Sequence, residues 1–527
     1  MGDSDAGPAD SSIAALTQAL DQTSLNPGQP QYNILEDQAG VPIEQQDVAV
    51  IDPQLLNTGK FQVSDYPTFL ANLQSPDQTT VYRGLVGIRK VLSSGSSTPI
   101  GELHKIPGAS AAIVGALTGA TNVKIIFEAL WCCANLCSDT KAICQDMINL
   151  GVLDATITFI QHSNPSVVEQ ALWMLETITG DSRDSMFVPQ YFDPYLKVVQ
   201  SLCNRNWQRI SILRTLIWTI SNLCRGKPSP PYEFVSQFLP SLERVLFSDI
   251  GDAEVTIDIM WSLSYLTDHK LHGEQVAGIL IEHNITQTIC SLLLSQNQQI
   301  ITPALRTIGN IISSSDPTHT QALLEQGILD VLITLIRDPA LKAEQHKEAA
   351  WTISNIAAGT SEQVTFLARS DAFKALHELV PTANAPLKKE IFYCAANLVS
   401  PDVTNEIAIK ALISIGWVKT MIADLDANPK SAYANVILQA LGDILAYGNR
   451  PDLQVPHLIE GKKVQVNLSA LMIQRDGGVN VLEKCQDFPE LHNMAVELLQ
   501  TYWAVSSDEE AEQSDPSDPA TSEFTFG

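Results

Sequence analysis

One pair of side chains recurs along this chain at an interval that ordinary globular domains do not repeat. Trp occupies positions 131, 173, 218, 261 and 351, Arg306 and Tyr393 hold the same phase, and the successive steps are 42, 45, 43, 45, 45 and 42 residues. Four residues after each of these stands Asn135, Thr177, Asn222, Tyr265, Asn310, Asn355 or Asn397. A weaker eighth copy, QALGDILAYG, puts Asp443 at the Asn position. A second element precedes these strings at a fixed phase: Gly151-VLDATITFI, Gly327-ILDVLITLI and Gly416-WVKTMIADL set apolar residues at helical spacing behind a glycine. Almost nothing in 76–505 alternates at the strand period. Helix-only units of this length match the armadillo and HEAT period, and such a unit buries its apolar face only against a neighbour. The expectation is an all-α armadillo-repeat solenoid, a right-handed superhelix of about ten repeats in one continuous body. Length by itself would have suggested several separate domains.

Positions i and i+4 lie on one face of a helix. A lone Trp on a helix is more often core than site, but the recurring Asn changes the balance. A buried Asn without partners costs about 1–3 kcal/mol, which makes a poor core when repeated in unit after unit. On a shared exposed surface the same amide offers a donor and an acceptor to a peptide backbone. Indoles between successive amides would hold the aliphatic stems of Lys or Arg, with a cation–π contribution. Carboxylates lie near this ladder: Asp181 in TITGDS, Asp258 one turn before Trp261, Glu348 three residues before Trp351 and Glu390 three before Tyr393. Taken singly each reads as a solvated surface charge. Taken together they describe a groove of carboxylates, indoles and amides, a receptor for an extended basic peptide.

Charge bears on the same question. The chain has 32 Lys plus Arg against 59 Asp plus Glu, a formal net charge of −27, which argues against binding nucleic acid or an anionic membrane surface. Residues 1–75 contain ten acids and one base, Lys60, and residues 506–527 contain seven acids and no base. These two ends read as disordered acidic segments flanking a solenoid at 76–505. The nine cysteines are an odd number, and Cys132, Cys133, Cys137 and Cys144 fall inside an apolar helical run, as small core residues in a reducing compartment do. No metal or cofactor set is expected. His269 and His272 read as solvent-facing, and Gly226-Lys227-Pro228 lacks the upstream glycines of a phosphate loop. With no secretory segment and no long apolar span, the chain reads as a soluble intracellular binding protein, not an enzyme.

The strings TLIWTISNLCRGKPSPP (215–231), IMWSLSYLTDH (259–269), TPALRTIGNIISSSD (302–316) and HKEAAWTISNIAAGTSEQV (346–364) resemble successive repeats of importin-α, the nuclear-import adaptor. The likeness runs in order from about residue 76 to the end, where GGVNVLEKCQDFPELHNMAVELLQTYWAVSSDEEAEQ and TSEFTF are similar to that family's last repeat and acidic tail. The resemblance implies a receptor for basic nuclear localisation signals of cargo proteins, shuttling between cytoplasm and nucleus. It implies a major pocket of Trp131, Asn135, Trp173, Asp181, Trp218, Asn222, Asp258 and Trp261, with Asp181 pairing the key lysine. It implies a minor pocket of Arg306, Asn310, Glu348, Trp351, Asn355, Glu390, Tyr393 and Asn397. Importin-β, an export receptor at the last repeat and tail, and nucleoporins are the further partners it suggests.

This sequence departs from the family pattern in several places. Thr177 replaces an Asn, Cys144 stands where the key-lysine pocket has a Thr, Asp139 where it has Gly, and Tyr393 replaces a minor-pocket Trp. The minor pocket is therefore expected to be at least as intact as the major one. The largest departure is at the front, where the family carries an Arg/Lys-rich segment that binds importin-β and folds back as a cargo mimic. Residues 1–75 supply one Lys and no Arg, and IAALTQAL (13–20) reads as a short helix in an acidic setting. Either importin-β is recruited by an atypical route, or the chain is not a standard adaptor, or an upstream segment is missing from the sequence. Without that segment the groove would stand open to basic peptides. The alternative reading is an armadillo scaffold or regulatory relative that binds extended partners without importin-β-dependent transport.

Overall fold

The computed structural model describes residues 61–503, apart from 94–97, 204–208, 249, 402–404 and 460–461. The expected helix at 13–20 and the acidic tail lie outside the described residues. Among those described the chain is built of helices, with one two-stranded hairpin. Contacts gather it into two compact units that divide between Gln326 and Gly327.

In the first unit, six helices carry the repeat phase: α1 (Gln78–Leu92), α2 (Val123–Cys137), α3 (Pro165–Ser182), α4 (Ile210–Cys224), α5 (Ala253–Thr267) and α6 (Gln298–Ile312). Each packs on the next. In the second unit the corresponding series is α7 (Ala343–Ala357), α8 (Ala385–Val399), α9 (Ala434–Tyr447) and α10 (Pro489–Trp503), again packed in order. Further helices precede each one, as in Lys141–Asn149, Val152–Phe159 and then α3, which is the three-helix unit that the repeat length anticipates.

Local chemistry explains where the elements begin. Asp77, Asn122, Asn164, Asp252, Asn297 and Asn384 stand at the N-caps of α1, α2, α3, α5, α6 and α8, each side chain accepting from a backbone N–H of the first turn. A side-chain oxygen there satisfies a donor that no carbonyl of the helix can reach. The glycines singled out in the sequence also have a conformational reason. Gly151, Gly327 and Gly416 have φ of 92°, 81° and 98°, the left-handed region that a residue with Cβ enters at a cost.

The apolar stripe of each helix forms the core. In α2, Ile126, Leu130, Cys133 and Cys137 are buried, and all nine cysteines are buried free thiols, consistent with small core residues. Three expectations are corrected. The stretch expected to be disordered to residue 75 contains the helix Tyr66–Asn72, anchored by a fully buried Tyr66 whose hydroxyl donates to the Pro99 carbonyl at 3.0 Å. The region in which almost nothing was expected to pair as strands contains the hairpin of β1 (Gln454–Ile459) and β2 (Lys462–Asn467), paired antiparallel from Gln454↔Asn467 to Ile459↔Lys462. The alternation of Val-Gln-Val-Asn at 464–467 was its only signal. His269 does not face solvent: it is 8% exposed, its Nε2 donates to the Pro230 carbonyl at 3.0 Å, and Tyr232 stacks on His272 at 4.1 Å.

Candidate peptide-binding surface

The Trp column sits at the surface of its helices. Trp131, Trp173, Trp261 and Trp351 are half-buried and Trp218 is 51% exposed, whereas the neighbours Cys132, Met174, Thr219, Ser262 and Thr352 are buried completely. An indole half out of solvent, next to a residue wholly inside it, lies at the edge of the core and presents a face. In the first unit the Trp131 and Trp173 rings meet edge-to-face at 5.9 Å. Trp261 stacks on Tyr265 at 5.7 Å, and the Arg306 guanidinium lies over Trp261 at 5.5 Å.

The ladder also extends one step further back than the Trp pattern indicated. One period before Trp131 and Asn135 stand Arg89 on α1 and Ser93 just past its end. The Arg89 guanidinium covers the Trp131 ring at 4.4 Å while pairing with Glu128, and Ser93 Oγ accepts from Asn135 Nδ2 at 3.2 Å. A resident cation thus occupies the first indole wall. Stepping back one repeat would have found both residues.

The amides are not all free to clamp a ligand with both ends. Asn310 Nδ2 donates to the Ser264 carbonyl at 3.0 Å and to Thr267 Oγ1 at 3.1 Å, on the preceding helix. Asn397 Nδ2 likewise donates to the Ser354 carbonyl at 3.0 Å. Each of these amides ties its helix to the one before and leaves its Oδ1 as the outward acceptor. Asn355 differs, because its buried Nδ2 has no hydrogen-bond partner among the described residues. Asn222, only 7% exposed, borders a cavity. Thr177 uses its hydroxyl within its own helix, donating to the Trp173 carbonyl at 3.0 Å, so no side-chain clamp stands at that step.

The carboxylates fall into three environments. Asp181 is exposed on the last turn of α3, at a cavity of about 290 Å³ that is also lined by Lys141, Arg183, Arg225, Lys227 and Asp184. Near it Cys144 is buried, and the neighbouring Cys137 thiol holds its thiol below the usual range. Asp258 on α5 is half-buried, and burial, followed by the charges of Glu254 and Asp252, pushes its carboxyl up to about 7. Glu176 on α3, which the sequence reading passed over, is raised to about 7 by burial, with the charge of Asp258 adding to it. Its signal was its place beside the ladder position Thr177.

In the second unit, Glu348 on α7 is buried with Lys347 Nζ 3.6 Å away. Glu390 on α8 is half-buried and is raised by that burial against the pull of Lys389 and Lys347. Tyr393 is 38% exposed beside Lys389, whose Nζ lies 5.7 Å from its ring. Of the residues expected in the minor pocket, Arg306 and Asn310 belong to the first unit and Glu348, Trp351, Asn355, Glu390, Tyr393 and Asn397 to the second.

Comparison with known proteins agrees with this architecture. Residues 316–358 match the Armadillo/beta-catenin-like repeat family. Importin subunit alpha-1b of Oryza sativa is 30% identical over 467 residues, spanning 88% of this chain and 82% of that protein. Importin subunit alpha-3 of Arabidopsis thaliana is 32% identical over 466 residues, spanning 88% and 83% respectively. An engineered protein of known crystal structure covers 83% of this chain and 98% of its own, with a TM-score of 0.68 and 20% identity, a likeness of fold.

Proposed function

The chain belongs to the importin-α family of armadillo proteins, and from that premise we propose that it is a nuclear localisation signal receptor binding extended Lys/Arg-rich cargo peptides along its ladder. The observation that carries this reading is the second-unit surface. There Glu348 and Glu390 stand on adjacent helices with Trp351, Asn355 and Asn397, and the Asn355 amide has a donor without a partner. A buried N–H left unpaired costs about 1–3 kcal/mol, and a peptide carbonyl would remove that cost. Carboxylates beside an indole suit the ammonium and methylene stem of a lysine. The first-unit surface of Trp131, Asn135, Trp173, Trp218, Asn222, Asp258 and Trp261 is the second binding stretch, weakened where Thr177 offers no clamp and Arg89 covers Trp131.

The action is binding, without catalysis or cofactor. The protein would shuttle between cytoplasm and nucleus, with importin-β recruited by an atypical route, an export receptor at the last repeat and tail, and nucleoporins as transient contacts. Among the described residues no helix is long and apolar enough to cross a membrane. A pull-down with a Lys-rich signal peptide, importin-β and an export receptor as separate baits tests groove, front and tail independently. Capture by the peptide bait is expected. Failure of that arm would leave the armadillo-scaffold reading in its place.

A further inference from the structure

Each of the first two ladder helices of the second unit carries a lysine one turn before its ring. Lys347, Trp351 and Asn355 lie four residues apart on α7, and Lys389, Tyr393 and Asn397 repeat that column on α8. Residues so spaced share one face of a helix, so both lysines belong to the surface that carries the rings and amides. Their ammonium groups are held differently. Lys347 Nζ donates to Glu344 at 2.6 Å and lies 3.6 Å from Glu348. Lys389 is exposed, and among the described residues no carboxylate stands within ion-pair distance of it. What it has is a ring: its Nζ lies 5.7 Å from the centre of Tyr393.

A cation resting on a ring is either structural or displaceable, and burial decides which. In the first unit the Arg89 guanidinium over Trp131 is also paired with Glu128, and the two side chains are 19% and 8% exposed. Moving it would strand a carboxylate with little access to water, which is costly. Lys389 has no such partner. Its ammonium is solvated, and its hold on a half-exposed phenol ring is a weak one. Its charge still reaches the site: burial raises the Glu390 carboxyl, and Lys389, followed by Lys347, pulls it back. The ring and the carboxylate that would attract a peptide's cation therefore already face one of the chain's own.

We propose that Lys389 is a resident competitor: a basic side chain of the bound peptide displaces its ammonium from the Tyr393 face on entering the second-unit surface. The residue thereby sets the selectivity of the site. A competitor inside the protein lowers the apparent affinity of every ligand by the same factor, the fraction of molecules in which the ring is vacant. A peptide with several basic contacts still binds, whereas an isolated lysine, starting from a lower affinity, falls below use. The proposal rests on the reading that the second unit binds basic peptides.

The test titrates a fluorescent Lys-rich peptide against the full chain and its Lys389→Gln, Lys389→Arg, Tyr393→Leu and Lys389→Gln/Tyr393→Leu variants, at low and high salt. Lys389→Gln is expected to tighten binding about three- to fivefold, and Lys389→Arg, which keeps a cation on the ring, to bind no tighter than the unaltered chain. The gain persists at high salt, which screens repulsion between exposed charges but leaves the ring contested. In the Tyr393→Leu background it shrinks to less than about twofold, because the contested ring is gone. Both positions are exposed, so these variants are expected to keep the fold. Equal binding by the unaltered chain and Lys389→Gln overturns the proposal and leaves the receptor reading intact. A gain that disappears at high salt, or survives in full without the ring, assigns the effect to general charge and overturns it as well. Binding by Lys389→Gln alone supports both readings. No binding by any of the proteins contradicts the receptor reading, and the proposal falls with it.

Discussion

At the residue scale, the ladder works because each position resolves a different conflict between burial and polarity. Asn310 and Asn397 satisfy their amides by bonding to the preceding helix, so the residue type that suits a ligand also fixes the spacing of the helices that present it. The period placed these residues, but it did not reveal which end of each amide was committed, because that depends on a carbonyl more than forty residues away. Glu176 was missed for a related reason: its shift comes chiefly from burial in the fold, with Asp258 on a different helix adding to it. Both carboxyls are pushed up to about 7, chiefly by burial. The native chain therefore holds their protons more tightly than the unfolded chain does, and stability from these groups is present at low pH and declines as pH rises through 7. Binding a cation runs the other way, since it requires the ionised forms. Affinity for a basic peptide at the first unit should rise several-fold between pH 6 and 8, measured by fluorescence polarisation, and Asp258→Asn should flatten that slope. A slope that survives in Asp258→Asn would assign it to another group.

At the element scale, six ladder helices start at an Asp or Asn whose side chain caps the first turn. This start signal was legible and complements the glycines that break the chain before the shorter helices. Asp252 has a second role: it accepts a two-pronged contact from Arg214 on α4, with Nη2 at 2.7 Å and Nε at 3.1 Å. Removing it strips a helix cap and a contact between repeats together. Asp252→Ala should lower stability by about 1–2 kcal/mol in urea denaturation, whereas Asp181→Ala, with no bond to lose among the described residues, should change it by less than about 0.5 kcal/mol. The hairpin β1–β2 was less visible. Its β2 end is held by Asn467, which donates to the Leu445 carbonyl at 2.8 Å and caps the helix Leu468–Arg475. Asn467→Ala should destabilise the second unit by about 1–2 kcal/mol through the lost cap and the orphaned carbonyl, read as a lower denaturation midpoint.

At the scale of the whole molecule, the repeat made the fold class readable because each unit solves the same packing problem, so a weak signal is reinforced every forty-odd residues. Charge was harder to interpret. The net −27 argues against a phosphate-backbone binder, yet it averages over acidic ends, carboxylates on the ladder and a cavity lined by four cations. Only side-chain placement separates these, and under the proposed function the lysine-accepting character lies in the second unit. The most direct test of that claim is a fluorescence-polarisation titration of a Lys-rich signal peptide against the full chain and its Glu390→Lys variant at low and high salt. The account predicts saturable binding that weakens as salt screens it, and at least a tenfold loss in the variant with helicity by circular dichroism unchanged. Equal binding by the two proteins, or none by either, would contradict it.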